Sequence, residues 1–266
     1  MSLIDYHVHT PLCNHAKGEM EAYVQQAVKL GLAEICFLDH LTLRPDGSFL
    51  SMSPQEVPLY HRAVKRLAAK YEDRIWVKVG LEVDFDLETM EQAMEIVDAH
   101  SFDAIGGSVH FIGEWNMVSH KERDNCPYRE CEDMFAEYLD HLEAMAEHSF
   151  FDFLCHLDVV GKFGDSPQDR MEDRWDQVIS TIAGKDIAVE INTSGKRHPK
   201  GELYPSLWIL KKLNQAGVPI TLGSDAHSPK QVGMDFDEAV SLAREAGYHS
   251  LATFSHRIRG EVSLSP

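Results

Sequence analysis

The chain holds 266 residues, with 25 Lys and Arg against 43 Asp and Glu, a formal charge of −18, and 44% hydrophobic residues. That is an ordinary soluble globular composition, which excludes fibres and extended disorder. So large a negative excess speaks against a nucleic-acid duplex or a membrane surface as the main partner, because phosphate-backbone binding relies on Lys and Arg. An anionic substrate would need a local positive centre, and the 15 His could hold metal cations that supply one.

Short apolar runs alternate with helical patterns almost to the C-terminus, the signature of a parallel α/β fold. In chain order, predicted strands cover residues 3–6, 34–38 and 75–81, then 103–109, 151–155, 187–191 and 219–222. Between the second and third, Ser53 and Glu56 bracket a capping box with Pro54 at the first helical position. Val57, Tyr60, Val64, Leu67 and Ala68 follow at helical spacing. Phe135, Leu139, Leu142 and Ala146 form a second stripe, and Phe236, Val240 and Ala243 a third; both predict helix faces packed on the sheet. No Pro/Gly/Ser-rich linker or long repeat divides the chain, so residues 1–266 read as one domain. The irregular stretches 41–52, 113–128 and 195–203 all follow predicted strands, where an α/β barrel builds its active site.

Five cysteines, an odd number without a C-x-x-C pair, predict neither a disulfide framework nor a zinc ribbon and fit a reducing compartment. The first ten residues lack a basic region followed by an apolar one, and no segment approaches 18 uninterrupted apolar residues. A cytoplasmic protein with no membrane partner is the expectation.

The main signal is positional. His7 and His9 end the first strand; Asp39 and His40 follow the second, Glu82 the third and His110 the fourth. His156 and Asp158 follow the fifth, and Asp225 and His227 the last. In H-x-H on a strand, the two-residue alternation turns both imidazoles to one face, where they can share a cation. Singly, His7 or His156 would more often be a hydrogen-bonded barrel-mouth histidine than a ligand. Repetition past six strands makes chance placement implausible. His61, His100, His141, His148 and His249 fall in helical or turn segments and read as surface residues. His120 lies in the loop after His110, where spacing does not fix it at the rim, and the surface reading is preferred.

Six strings stand in order: DYHVHT (5–10), LDH (38–40), GLEVD (80–84), GSVHF (107–111), CHLD (155–158) and GSDAH (223–227). Together they resemble the PHP (polymerase and histidinol phosphatase) metal-dependent phosphoesterases over nearly the whole chain. HLDVVGKFG (156–164), EINTSGKR (190–197) and ELYPS (202–206) look like the monofunctional histidinol-phosphate phosphatase branch. The resemblance implies a distorted (β/α)7 TIM-like barrel of parallel strands with its metal site at the C-terminal rim. It implies two or three divalent ions: one on His7, His9, Glu82 and Asp225, a second on Glu82, His110 and His156, a third on His15, His40 and His227. His15 rests on the motif alone. Imidazole and carboxylate donors without thiolate suit Zn, Mn or Fe and do not choose among them.

The implied reaction is hydrolysis of L-histidinol phosphate to L-histidinol and phosphate, in histidine biosynthesis, by a metal-bridging hydroxide without a phospho-enzyme. Glu82, Asp225 and His227 are the expected catalytic groups; a metal-held water, His227 or Asp158 could protonate the leaving alkoxide. A guanidinium matches phosphate oxygens, so Arg197 is the expected phosphate clamp and Lys162 a second cation. Asp84 or Glu202 could meet the cationic part of the substrate. The alternatives are a PHP phosphoesterase for another small ester and an inactive PHP binding module, the latter at odds with the intact ligand positions. Nucleic acid is not an expected partner, and self-association is left open.

Overall fold

The computed structural model describes residues 3–45, 47–164 and 170–264. β1 (Ile4–Val8), β2 (Glu34–Leu41), β3 (Trp76–Asp84) and β4 (Ala104–Ser108) come first, with α1 (Met20–Leu30), α2 (Val57–Lys70) and α3 (Met90–Asp98) between them. A small hairpin, β5 (Phe111–Ile112) and β6 (Trp115–Asn116), leads to α4 (Cys131–Glu147). β7 (Phe153–Leu154), α5 (Glu172–Gly184), β8 (Ala188–Asn192), α6 (Leu207–Gln215), β9 (Ile220–Gly223) and α7 (Phe236–Glu245) continue the alternation. A second hairpin, β10 (Ser250–Ser255) and β11 (Ile258–Ser263), follows them.

Seven parallel strands run in the order β1-β2-β3-β4-β7-β8-β9. They form a nearly closed barrel with helices between the strands, as the alternation of apolar runs predicts. β1, β4, β8 and β9 are buried at every position, as strands covered on both faces must be. Phe135, Leu139, Leu142 and Ala146 on α4 are buried against this barrel, as are Phe236, Val240 and Ala243 on α7. A fully buried Leu or Phe contributes roughly 1.5–3 kcal/mol, so each stripe anchors its helix far more firmly than helix propensity does.

The last gap is sealed at the rim rather than along a ladder. His9 N–H donates to the Ala226 carbonyl at 3.0 Å, and Ala226 N–H to the His7 carbonyl at 3.2 Å. Asp5 adds a side-chain latch, accepting from Ser224 N–H at 2.9 Å and its hydroxyl at 2.6 Å. The opposite mouth is closed by the β10–β11 hairpin. Phe254 N–H donates to the Tyr6 hydroxyl at 2.7 Å, Thr221 Oγ1 to the Ala252 carbonyl at 3.0 Å, and Arg257 N–H to the Asp103 carbonyl at 2.9 Å. Among the described residues, the C-terminal rim is the end of the barrel that this hairpin leaves uncovered.

Three local expectations change. β1, β2 and β3 run beyond their apolar stretches, so His7, His40 and Glu82 lie within strands rather than after them. The ladder tolerates them because their side chains find partners at the rim. The fifth barrel strand is only Phe153–Leu154, shorter than the apolar run 151–155. The capping box closes a turn ahead of its helix: Glu56 Oε2 accepts from Ser53 N–H at 2.8 Å and its hydroxyl at 2.7 Å, while α2 starts at Val57 with Pro58 in its first turn.

Candidate metal centre

Glu82, on β3, is the hub. Parallel register sets it beside His40 of β2 and Gly106 of β4. It is buried, and its Oε2 meets His40 Nδ1 at 2.8 Å, His7 Nε2 at 3.2 Å and His9 Nε2 at 3.7 Å. Its Oε1 meets His156 Nε2 at 2.9 Å and His110 Nε2 at 3.5 Å, and accepts from the Ser108 hydroxyl at 2.5 Å. Burial alone would raise its pKa, but the imidazoles, led by His40 and His7, hold it well below the usual carboxylate range.

β1 delivers His7 and His9 to one side, their ring centroids 4.9 Å apart, as H-x-H alternation requires. The turn after β9 delivers Asp225 and His227. Asp225 sits at φ 51° and His156 at φ 28°, left-handed backbone that non-glycine residues seldom adopt and that here aims ligand-type side chains inward. Asp225 Oδ1 stands 3.0 Å from His9 Nε2 and 4.0 Å from His7 Nε2. His15 is brought in by a single helical turn. Thr10 caps it by accepting from Leu12 N–H at 3.2 Å, and Asn14 turns the chain at φ 68°.

Four of the rings have their outward nitrogens tied down. His7 Nδ1 is 2.8 Å from Glu190 Oε1, and His9 Nδ1 is 3.3 Å from Asp39 Oδ1. His15 Nδ1 donates to the Cys13 carbonyl at 2.7 Å, and His227 Nδ1 to the Asp225 carbonyl at 3.1 Å. A carbonyl only accepts, so His15 and His227 carry their protons on Nδ1 and present lone pairs at Nε2. Those two Nε2 atoms are 2.8 Å apart. Facing lone pairs repel unless a cation draws both in, and outer hydrogen bonds that fix a tautomer are what a ligating histidine needs. Burial lowers the pKa of both rings, which keeps the lone pairs available. The donor set fits divalent metals.

Potential ligand atoms gather within 4.8 Å of one another in His7, His9 and Glu82, and again in His15, His40 and His227. A third such group, His40, Glu82 and His110, makes His40 a neighbour of the expected second position as well as the third. His156 joins through Glu82, while its Nδ1 is buried without a partner among the described residues.

A cavity of about 440 Å³ opens over these groups, with Arg197, Lys162, Ser194, His120 and His198 in its wall. Arg197 is brought in by the single helical turn Thr193–Arg197 after β8. Its Nη2 donates to the carbonyls of Ser224 and Asp225 at 2.8 and 2.9 Å, leaving Nη1, buried and without a partner among the described residues. Lys162 Nζ donates to the Val118 carbonyl at 2.8 Å, and burial lowers its pKa to about 8.

Some expectations move. His120, read from sequence as a surface residue, lines the cavity although exposed, its ring 6.0 Å from that of His198. Asp158 does not line the cavity: it is buried, accepting from Ser206 N–H at 3.1 Å with Lys200 Nζ at 3.7 Å. Asp84 faces the backbone of His110, whose N–H it accepts at 3.1 Å, and Glu202 is exposed; neither lines the cavity. Glu190 is the residue that sequence reasoning missed. It binds His7 Nδ1 and also accepts from His156 N–H and Asn192 Nδ2 at 3.0 and 2.9 Å. It escaped notice because it lies inside β8 and not past its end; a lone acid in the apolar run AVEIN was the available sign.

An αβ barrel whose C-terminal rim gathers histidines around a buried carboxylate, with a guanidinium across the cavity, defines a metal-dependent hydrolase of anionic esters. Residues 5–194 match the PHP domain. The chain is 32% identical over 256 residues to a probable histidinol-phosphatase of Deinococcus radiodurans, covering 96% of this chain and 97% of that protein. It is 31% identical to the histidinol-phosphatase of Lactococcus lactis, covering 96% and 95%. The chain belongs to the PHP family, in its histidinol-phosphatase branch. Among solved structures, the Lactococcus lactis histidinol phosphate phosphatase in complex with zinc, L-histidinol and phosphate superposes with a TM-score of 0.86 at 28% identity, covering 97% of this chain and 99% of that one. A putative histidinol phosphatase from Listeria monocytogenes shares the fold, with a TM-score of 0.81 at 20% identity and coverage of 88% and 99%. Among the described residues no helix is long and apolar enough to cross a membrane, and no cysteine forms a disulfide.

Proposed function

We propose that this protein, acting as one domain over residues 1–266, hydrolyses L-histidinol phosphate to L-histidinol and phosphate. The observation that carries the reading is the zinc-, histidinol- and phosphate-bound relative, which superposes on this chain over 97% of its length. His7, His9, Glu82 and Asp225 would hold one divalent ion, Glu82, His110 and His156 a second, and His15, His40 and His227 a third. Zn, Mn or Fe suit these donors, and zinc has the relative's support. When bound, such ions supply a water nucleophile at neutral pH and withdraw charge from the phosphoryl oxygens.

The chain's own side chains do the rest. Arg197 Nη1 and Lys162 Nζ present cationic donors to the phosphate, whose negative charge favours the protonated form of Lys162. Nη2 of Arg197 meanwhile fixes the turn that carries Asp225 and His227. Glu190 and Asp39 hold His7 and His9 from behind, so the nitrogens facing the cavity keep their aim during turnover. With Asp158 away from the cavity and His227 presenting a lone pair at Nε2, a water held by the bound ions would be the candidate left from the sequence analysis to protonate the leaving alkoxide. A cytoplasmic location and a small-molecule partner, without nucleic acid or membrane, go with this reading and with the charge of −18.

A metal-replete preparation should release phosphate from L-histidinol phosphate far faster than from generic phosphomonoesters. Chelation, Asp225→Ala or His110→Ala should each abolish turnover in a folded protein. Equal rates on all esters would remove the named substrate, and activity surviving chelation and both substitutions would remove the metal mechanism.

A further inference from the structure

At the mouth opposite the metal centre, the β10–β11 hairpin carries an open edge. Among the described strands β11 pairs with β10 alone, in an antiparallel register that sets Ala252 against Glu261, Thr253 against Gly260 and Phe254 against Arg259. On β10, Phe254 N–H donates to the Tyr6 hydroxyl at 2.7 Å, and the Phe254 carbonyl lies 3.0 Å from the same oxygen. The Ala252 carbonyl accepts from Thr221 Oγ1 at 3.0 Å. Both residues therefore turn their backbone groups away from β11, and in an antiparallel ladder the residues opposite them turn theirs away from β10. Those residues are Arg259 and Glu261, whose backbone N–H and carbonyl groups have no partner among the described residues. Ile258, on the other face of the strand, is 74% exposed.

Unpaired edges invite another strand, and the residue order of β11 selects which one. About a two-fold axis through Gly260, antiparallel pairing with β11 of a second copy sets Arg259 against that copy's Glu261, and Ile258 against its Val262, each twice. Arg259 and Glu261 are the residues with open backbone groups, so each of these pairs exchanges two hydrogen bonds while opposite charges stand side by side. Sliding the register by two residues centres it on Arg259 or on Glu261 and sets like charges face to face, so charge selects one register. Both side chains are steadied: Arg259 bonds the carbonyl and carboxylate of Asp186, each at 2.8 Å, and Ser250 Oγ donates to Glu261 Oε2 at 3.3 Å. We propose that the chain forms a two-fold dimer through β11, joining the two hairpins into one four-stranded sheet. The contact is self-complementary and closes at two copies. Both metal rims, at the other ends of the barrels, stay open.

Sedimentation velocity of the full, zinc-loaded chain tests this. One short strand pair makes a small interface, so the expected dissociation constant is roughly 1–100 µM. Arg259→Glu or Glu261→Arg alone puts like charges in both cross-strand pairs and should weaken association by about tenfold or more, and the double exchange should restore it. A wild-type protein that is monomeric at about 100 µM, a dimer indifferent to both single changes, or a double exchange that restores nothing overturns the proposal. Where a charge variant fails to fold by circular dichroism, Gly260→Cys decides. The two Cα atoms on the axis of such a pair stand about 4.5 Å apart, within disulfide reach. Mild oxidation should then give a covalent dimer above the background that wild-type protein sets through its exposed Cys126, and no such excess overturns the proposal.

Discussion

Nη2 of Arg197 is committed to the carbonyls of Ser224 and Asp225, so the proposed phosphate clamp reduces to one nitrogen, Nη1, which has no partner among the described residues. A charge-assisted hydrogen bond is worth about 1.5–3 kcal/mol, so Arg197→Ala should raise KM for the phosphate ester by about 10- to 100-fold in steady-state kinetics. kcat should fall as well, because the same guanidinium steadies the turn bearing Asp225. An unchanged KM would return Arg197 to a purely structural part. Lysine should not replace it, since one ammonium cannot hold two carbonyls and a phosphate along the directions the planar guanidinium offers. His120 and His198 belong to the same scale of description: their rings reach the cavity from loops whose sequence carries no periodicity, which is why only coordinates place them there.

Strands set the aim of the centre, and the close contact between β8 and β9 shows how tightly. A Cβ at Gly223 would lie 2.0 Å from Glu190 Oε1 and 2.6 Å from His7 Cβ. Gly223→Ala must therefore push Glu190 off His7 or part β9 from β1. Overpacking of this kind costs about 1–3 kcal/mol, and losing an outer-shell carboxylate typically costs 10- to 100-fold in metal affinity. The expected result is a lowered melting temperature together with weaker zinc binding by isothermal titration. A drop in stability with zinc affinity intact would mean that Glu190 does not orient His7. At this scale the sequence was partly legible. H-x-H on a strand and the acids at the ends of apolar runs announced themselves, whereas Glu190 did not, because an acid inside an apolar run has no local partner to reveal its purpose.

Over the whole molecule, the C-terminal end of the barrel collects acids that the histidines neutralise. Burial opposes charge on His9, yet hydrogen bonds to Asp225 and Asp39 overcome it and raise its pKa from 6.5 to about 9; His7, between Glu190 and Glu82, is also raised. A histidine with a raised folded pKa stabilises fully below its ordinary pKa and ceases to as pH climbs through the folded value. The metal-free protein should therefore lose melting temperature between pH 6.5 and about 9. Zinc competes with the proton for the same nitrogens, so zinc-loaded protein should melt higher and show a much smaller decline over that range. Parallel melting curves in EDTA and in zinc check this; identical slopes would show that these histidines do not serve the metal. The net charge of −18 thus coexists with a site for anions, because the acids at the rim are matched by imidazoles and cations.

The chain's own order of residues was enough to determine the parallel α/β alternation, the seven strands and the ring of ligand-type side chains. Periodicity and strand ends are local properties, and a barrel converts them directly into inward direction. Tertiary structure alone decided what lies at long range. The β10–β11 hairpin that stops the lower mouth, the latch from Asp5 to Ser224, the burial of Asp158 away from the cavity and the grip of Glu190 on His7 all join residues far apart in the chain. Such contacts depend on how the strands close around one another, and no local pattern encodes that closure.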